Sequence, residues 1–330
     1  MSFIISTSSH KFFSQKLSRE SKIPMINSQV DYFANGELKT SIMSSIRGKN
    51  IFIVSSPNSR EDASINDDIM ETYFLIRTCK ISDVANITLI CPCYPYARQD
   101  KKDDSRVCIS AKDIADLFTL GGINRIICFD LHSHQIQGFF NIPCDNFYCI
   151  NIIHKYLIEN LKIETKDTNE LNNEYVIVAP DEGALRRVNK YASKFNMPFM
   201  VVSKDRDYSK VNHVEKAFLI GDKTKYLQDR TAIIIDDMAD TCGTVLKVSE
   251  LLMEKGAKSI IIIVTHGILS GPAINRINKS DFIEKVIVSD SLPQESNLEK
   301  CPKLMVFSII PLLSQAMNRL ITNESLSELF

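Results

Sequence analysis

The residues Asp236-Asp237-Met238-Ala239-Asp240-Thr241-Cys242-Gly243-Thr244 put two kinds of chemistry side by side. An adjacent pair of carboxylates can accept hydrogen bonds from vicinal sugar hydroxyls, directly or through a divalent cation. Such a pair cannot hold phosphate. The small residues that follow can. Thr241 and Thr244 bring hydroxyl donors, and Gly243 lets the backbone approach a ligand closely. A helix starting here would add unpaired N–H groups and the positive end of its dipole, both suited to an anion. Phosphate donors a few residues from hydroxyl acceptors suit a sugar phosphate. A lone Asp-Asp would read as a solvated strand end; the whole pattern supports the sharper reading.

The flanking sequence supplies the elements that must hold these groups. Ala232 to Ile235 are apolar and mostly β-branched, as in a parallel strand buried on both faces. The acidic pair is expected directly after that strand. Val245 to Lys255 have helical spacing and Gly256 is a natural stop.

The same order, apolar strand and then a loop rich in functional groups, recurs along the chain. Strands are expected at Phe3–Ser6, at Ile51 onward, and at 86–91, 125–129, 175–179, 199–203 and 259–264, with two more at 285–288 and 305–309. Helices are expected over 10–19, 67–81, 110–120, 151–161 and 310–321, and an alternating segment over 38–46. In the 67–81 helix the apolar face is Ile69, Met70, Tyr73, Phe74 and Ile76. Residues 162–174 are polar and read as a surface loop. Strands alternating with helices predict an α/β fold with parallel sheets in two similar halves, the first ending near residue 150. Loops at the carboxyl ends of such strands are where these folds bind ligands. His132 and His134 would share a strand face, so a paired metal site is conceivable. A structural histidine is the commoner case for either.

Composition narrows the class. The chain has 330 residues, 44% hydrophobic and 24% charged, with a net charge of −1. That is ordinary for a globular enzyme and gives no basic bias for nucleic acid. The nine cysteines are scattered without a CxxC pair, and they read as free thiols in a reducing, cytoplasmic compartment. No apolar run reaches membrane-spanning length, and the N-terminus lacks the features of a secretory signal.

Several stretches resemble one family. DDMADTCGT at 236–244 is similar to the ribose-5-phosphate loop shared by type I phosphoribosyltransferases and ribose-phosphate pyrophosphokinases, and is nearer the pyrophosphokinase form. FANGE at 33–37, PYARQDKKDDSR at 95–106, DLHSHQIQGFF at 130–140, PDEGALRR at 180–187, KDR at 204–206, THGILSGPA at 265–273 and the tail ESLSELF resemble other segments of the pyrophosphokinases. The resemblance runs from about residue 3 to 330. It implies an α/β fold of two phosphoribosyltransferase-like domains, each a mainly parallel sheet flanked by helices. Residues 1–149 would carry ATP-binding loops and subunit contacts, 150–309 the ribose 5-phosphate site, and 310–330 a helix and tail packing on the first domain.

The implied reaction moves the pyrophosphoryl group of ATP to the C1 hydroxyl of ribose 5-phosphate, giving phosphoribosyl pyrophosphate and AMP with Mg²⁺. Phe33, Asn35 and Glu37 would meet adenine, with Arg98, Gln99 and His132 also on ATP. His132 and Asp181 would attend the magnesium. Lys204 and Arg206 would act on the transferring group. Asp236, Asp237, Asp240, Thr241, Cys242, Gly243 and Thr244 would hold ribose 5-phosphate. Ser45, Arg47, Arg106 and Ser325 would belong to a regulatory site for phosphate or ADP. The assembly implied is a homo-oligomer, a hexamer built from dimers, with the FANGE loop reaching across a dimer interface and neither nucleic acid nor membrane as partner.

Three departures stand out. Ala184 occupies the place of a usual glycine, which would cost about 1 kcal/mol or more if positive φ were needed. Asp104 replaces a lysine near the regulatory site, and 207–210 match poorly. Two other readings remain open on sequence: a non-catalytic, synthetase-associated regulatory subunit, and a phosphoribosyltransferase. The length, the FANGE segment and the charged loop after residue 94 disfavour the second.

Overall fold

The computed structural model describes residues 1–162, 174–206, 214–219 and 226–330, without the side chains of 204–206 and 214–219. Strands and helices alternate as follows: β1 (Ser2–Ser6), α1 (Lys11–Ser21), β2 (Met25–Ile26), β3 (Ser28–Tyr32), β4 (Leu38–Ile42), β5 (Asn50–Val54), α2 (Ile65–Ile81), β6 (Asn86–Ile90), α3 (Ser110–Gly121), β7 (Arg125–Phe129), β8 (Cys144–Phe147) and α4 (Ile150–Leu161). Then come β9 (Tyr175–Ala179), α5 (Leu185–Phe195), β10 (Phe199–Arg206), β11 (Val214–Leu219), β12 (Thr231–Ala239), α6 (Gly243–Glu254), β13 (Ser259–Gly267), α7 (Ala273–Lys279), β14 (Ile283–Ser289), α8 (Glu295–Lys300), β15 (Leu304–Phe307) and α9 (Ile310–Thr322). The chain divides into two compact units. One is Met1–Cys149 with Ser291–Pro293 and Ser308–Phe330; the other is Ile150–Asp290 with Gln294–Phe307.

The first unit is built on a parallel sheet of order β2-β1-β5-β6-β7-β8. Its strands are short and β-branched, and Ile51, Ile53, Ile87, Leu89 and Ile126 are all buried. Buried on both faces, they need no polar alternation. Helix α3 ends where Gly122 takes φ +116°, a left-handed turn that glycine enters without strain. Helix α9 starts with proline in its first turn and packs against α1. The tail beyond it is held by Arg319, which donates to the Ser325 carbonyl (2.7 Å) and the Glu328 carboxylate (2.6 Å). Phe330 stacks on Phe147.

The second unit is a seven-stranded sheet of order β11-β10-β9-β12-β13-β14-β15, parallel except for β10–β11. Isoleucines pair across its centre: Ile233 with Ile261, Ile234 with Ile262, Ile235 with Ile263. Such side chains pack densely on a pleated surface.

Several sequence expectations need correction. The alternating segment 38–46 is a strand only to Ile42, and it pairs with β3 in a separate antiparallel ribbon. The buried face of α2 is not purely apolar. Asp68, Glu71 and Thr72 lie inward with Ile69, Leu75 and Ile76, while Met70 is 38% exposed. The first turns of α2 lie over the loops leaving β1 and β5, whose donors need acceptors. His132 and His134 share no strand face, because β7 ends at Phe129 and His134–Phe139 form a 3-10 turn. The acidic pair lies inside β12 and not after it, because β13 extends to Gly267 and keeps pairing as far as Ala239. The polar loop expected at 162–174 and the variant stretch 207–210 fall almost wholly outside the described residues.

Candidate active site

In the second unit the chain leaves β9 for β10 on one side and β12 for β13 on the other. The loops after β9 and β12 therefore diverge and leave a crevice at the carboxyl ends of the strands, where open α/β sheets bind ligands. The β12 side supplies Asp236 and Asp237. The β9 side supplies Arg187, in the first turn of α5, whose Nη1 lies 3.1 Å from Oδ1 of each carboxylate. One guanidinium thus faces two acids. The Asp237 side chain is 4% exposed and that of Asp236 is 22% exposed. Burial first, and then the neighbouring Asp237 charge, push the Asp236 carboxyl well above the usual carboxylate range; Arg187 opposes them only in part. A ligand that donates hydroxyl hydrogens or brings a cation relieves that repulsion.

The loop from Ala239 to Gly243 is braced by the segment after β13. Leu269 N–H donates to the Ala239 carbonyl (3.0 Å), Ser270 Oγ donates to Asp240 Oδ1, and Arg276 Nη1 donates to the Thr241 carbonyl (2.7 Å). Thr241 and Thr244 are exposed. No acidic residue stands in the first turn of α6, so its N–H groups face an uncompensated positive dipole end. Cys242 caps α6 at φ +59° with its side chain turned into the hydrophobic core. Burial, with help from Asp240, pushes its thiol up to about 11, so it stays neutral. With its side chain buried, Cys242 has its backbone to offer a ligand in this loop.

Asp181 follows β9 and caps a short 3-10 turn, accepting from Ala184 N–H (3.2 Å). Ala184 has φ −78° and ψ −8°, ordinary right-handed backbone, so the strain expected for a glycine replacement does not arise. Lys204 and Arg206 lie on β10, in register with Ala217 and Val214 and with an irregularity between Asp205 and Arg206; their side chains lie outside the described set.

The first unit gathers another cluster from the loops after the neighbouring strands β6 and β7. Tyr94 anchors the first loop by donating to the Ala111 carbonyl (2.9 Å). Gln99 is tied to the start of α3: its carbonyl accepts from Ala111 N–H, and its side-chain oxygen accepts from Ser110 Oγ. Asp100 accepts from Gln135 Nε2 (2.9 Å), joining this loop to the turn that follows His132. Behind His132, Asn146 accepts from Leu131 N–H and Asp130 accepts from Cys149 N–H. Arg98 and His132 are exposed on this platform. His134 instead faces the Tyr148 hydroxyl at 3.0 Å.

Phe33, Asn35 and Glu37 are exposed at the tip of the β3–β4 ribbon, where the Asn35 amide oxygen accepts from Glu37 N–H (3.2 Å). Among the described residues no hydrogen bond joins this tip to the Arg98 loop. Ser45, Arg47, Arg106 and Ser325 are each exposed, and no bond among the described residues gathers them. No group of three or more His, Cys, Asp or Glu that could hold a metal occurs among the described residues.

Sequence reasoning gave no role to Arg187, Ser270 or Arg276. Arg187 sits in the PDEGALRR motif, and the other two in or just after THGILSGPA, so their positions were visible while their partners, some 30 to 50 residues away in sequence, were not.

Residues 2–122 match the family described as the N-terminal domain of ribose phosphate pyrophosphokinase, and residues 216–330 match the phosphoribosyl synthetase-associated domain. The fold is similar to that of phosphoribosylpyrophosphate synthetase from Mycobacterium smegmatis, with TM-score 0.86 and 33% identity over 98% of this chain and 99% of that one. A purine phosphoribosyltransferase from Pyrococcus horikoshii aligns over 36% of this chain and 72% of its own, at 22% identity and TM-score 0.26, which adds nothing to that.

Proposed function

This chain belongs to the ribose-phosphate pyrophosphokinase family, and from that premise we propose how its residues share the work. It transfers the pyrophosphoryl group of ATP to the C1 hydroxyl of ribose 5-phosphate, releasing AMP and phosphoribosyl pyrophosphate. The observation that carries the site assignment is the Arg187–Asp236–Asp237 cluster beside a helix start free of acids.

Asp236 and Asp237 accept from the ribose hydroxyls and fix the sugar ring. Asp240, Thr241, Gly243 and Thr244 line the 5-phosphate, with the N–H groups of α6 and the threonine hydroxyls as donors. Arg187 keeps the carboxylates oriented while the site is empty. In the first unit Arg98 donates to the phosphate chain of ATP and Gln99 shapes the loop beneath it. Lys204 and Arg206 meet the charge that grows on the transferring group, so they act more strongly in the transition state than in the ground state. The nucleophile is the substrate's own hydroxyl, so catalysis is mainly positioning and charge stabilisation.

The Asp181 carboxylate is an oxygen donor of the kind Mg²⁺ prefers, and an ion that keeps waters and substrate phosphates needs few protein ligands. On the second unit Asp181 would attend it, and it would draw charge from the phosphate oxygens of ATP; on the first unit His132 would serve ATP.

The β3–β4 ribbon offers Phe33, Asn35 and Glu37 to the adenine of a neighbouring copy in a homo-oligomer, a hexamer of dimers. Exposed Tyr32, Phe33 and Met43 on that ribbon support this use. Ser45, Arg47, Arg106 and Ser325 form the regulatory anion site for phosphate or ADP. All nine cysteines are free thiols, in keeping with a cytoplasmic site of action, and no helix among the described residues is long and apolar enough to cross a membrane.

The test is AMP release from ATP and Mg²⁺ by the purified chain, with and without ribose 5-phosphate. Release that depends on the sugar supports the assignment. A folded, ATP-binding protein that releases none points to a regulatory subunit instead.

A further inference from the structure

Among the described residues, a cation from the segment that braces the loop lies beside the start of α6. Arg276 lies on α7, and its Nη1 donates to the Thr241 carbonyl at 2.7 Å. The same guanidinium reaches the first residue of α6: a Cβ added to Gly243 would sit 3.4 Å from Nη1, ordinary van der Waals contact. The guanidinium therefore stands beside the turn, where Thr241 and Thr244 are exposed.

Two further observations show that its charge is available. Arg276 is exposed and forms no ion pair with a carboxylate among the described residues. The closest acidic side chain on the loop, Asp240, accepts from Ser270 Oγ. A guanidinium has five N–H donors in a planar fork, so one bond to a carbonyl leaves others for a second acceptor. Elsewhere in this crevice the cation Arg187 is committed to Asp236 and Asp237.

We propose that Arg276 is a binding residue for the 5-phosphate of the sugar substrate, supplying the one full positive charge that the threonine-and-backbone loop lacks. Its bond to the Thr241 carbonyl aims the fork. The proposal rests on the ribose 5-phosphate reading of this loop and adds to it the source of phosphate selectivity.

The experiment uses the full chain with Arg276→Gln and Arg276→Lys. KM for ribose 5-phosphate, KM for ATP and kcat are measured, together with the thermal melt with and without ribose 5-phosphate. Arg276→Gln is expected to raise KM for ribose 5-phosphate about tenfold or more, the loss of a charge-assisted bond. KM for ATP should change far less than that, and Arg276→Gln, which keeps an amide donor toward the Thr241 carbonyl, should stay folded. Arg276→Lys should recover part of the loss, and only wild type and the lysine variant should lose sugar affinity as salt is added.

An unchanged KM for ribose 5-phosphate in Arg276→Gln overturns the proposal. So does a fall in kcat and free-protein melting point without a change in that KM, which would make Arg276 a brace only. If wild type releases no AMP, the catalytic reading fails, and the melting shift caused by ribose 5-phosphate in wild type and Arg276→Gln still decides the role of Arg276. No shift in wild type sinks both.

Discussion

Each parallel sheet reverses its strand order once, between β1 and β5 in the first unit and between β9 and β12 in the second. Topology makes a crevice at both places. In the first, the chain fills it. Glu71 accepts from Ser8 N–H (2.7 Å) and Ser8 Oγ (3.1 Å), and Asp68 accepts from Asn58 N–H and from Arg60 through both oxygens. Ser55 and Thr72 close the remaining gap with a hydroxyl pair at 2.6 Å. Both carboxylates come from α2 and are at most 2% exposed. In the second unit the acids come from the strand itself, and the α6 turn meets no carboxylate of its own helix. The fold provides two equivalent places, and the residue types fill the first with carboxylates of its own helix while the second has its acids on the strand itself.

The largest effect expected is on the second unit's side. Lys204→Ala should lower kcat by about 10²–10³-fold while KM for ribose 5-phosphate changes by no more than a few fold. Equal losses in both would remove the transition-state role of Lys204.

Next comes the filled crevice. Arg60→Ala would strand the fully buried Asp68 and should destabilise the protein by about 3 kcal/mol. Denaturant unfolding measures this. At temperatures where the variant is folded, KM for ribose 5-phosphate should match wild type. A changed KM would mean that the first crevice is not merely structural.

Acidity gives a third contrast. Burial raises the Glu71 and Asp68 carboxyls in the first unit and the Asp236 carboxyl in the second. A carboxyl raised in the folded state holds a proton that the unfolded chain has released. Its contribution to stability is complete below the ordinary carboxylate range and is lost as pH rises through the folded value. Glu71→Gln should flatten that decline in a melting-point series against pH. At Asp236 the readout is binding. If the ionised pair accepts from ribose, KM for ribose 5-phosphate should fall as pH rises through the raised Asp236 value, and Asp236→Asn should abolish the trend.

The smallest effect is Ala184→Gly. With Ala184 at φ −78°, glycine gains nothing and should cost about 0.4–1 kcal/mol through the unfolded chain, with kcat unchanged.

Much of the second crevice could be read in the sequence because its acids, threonines and glycine are contiguous. The apolar runs of β12 and β13 are long and β-branched, so the parallel sheet was legible as well. What escaped depends on partners far along the chain. The extension of β12 through Asp236 and Asp237 needs β13 beside it, and no local preference at two aspartates predicts a strand. The inward turn of Asp68 and Glu71 is invisible to an apolar-face count, because Ser8 and Arg60 supply the compensation. Ala184 looked costly only because the motif suggested a backbone that the chain does not adopt.

The contrast between the two crevices is tested most directly by amide hydrogen exchange of the full chain with and without ribose 5-phosphate, read by mass spectrometry. The account predicts slower exchange in peptides covering 239–246 when the sugar phosphate is present, and no change in peptides covering 7–10 and 55–60. Protection in the first unit's crevice, or none at 239–246 at saturating ligand, would contradict it.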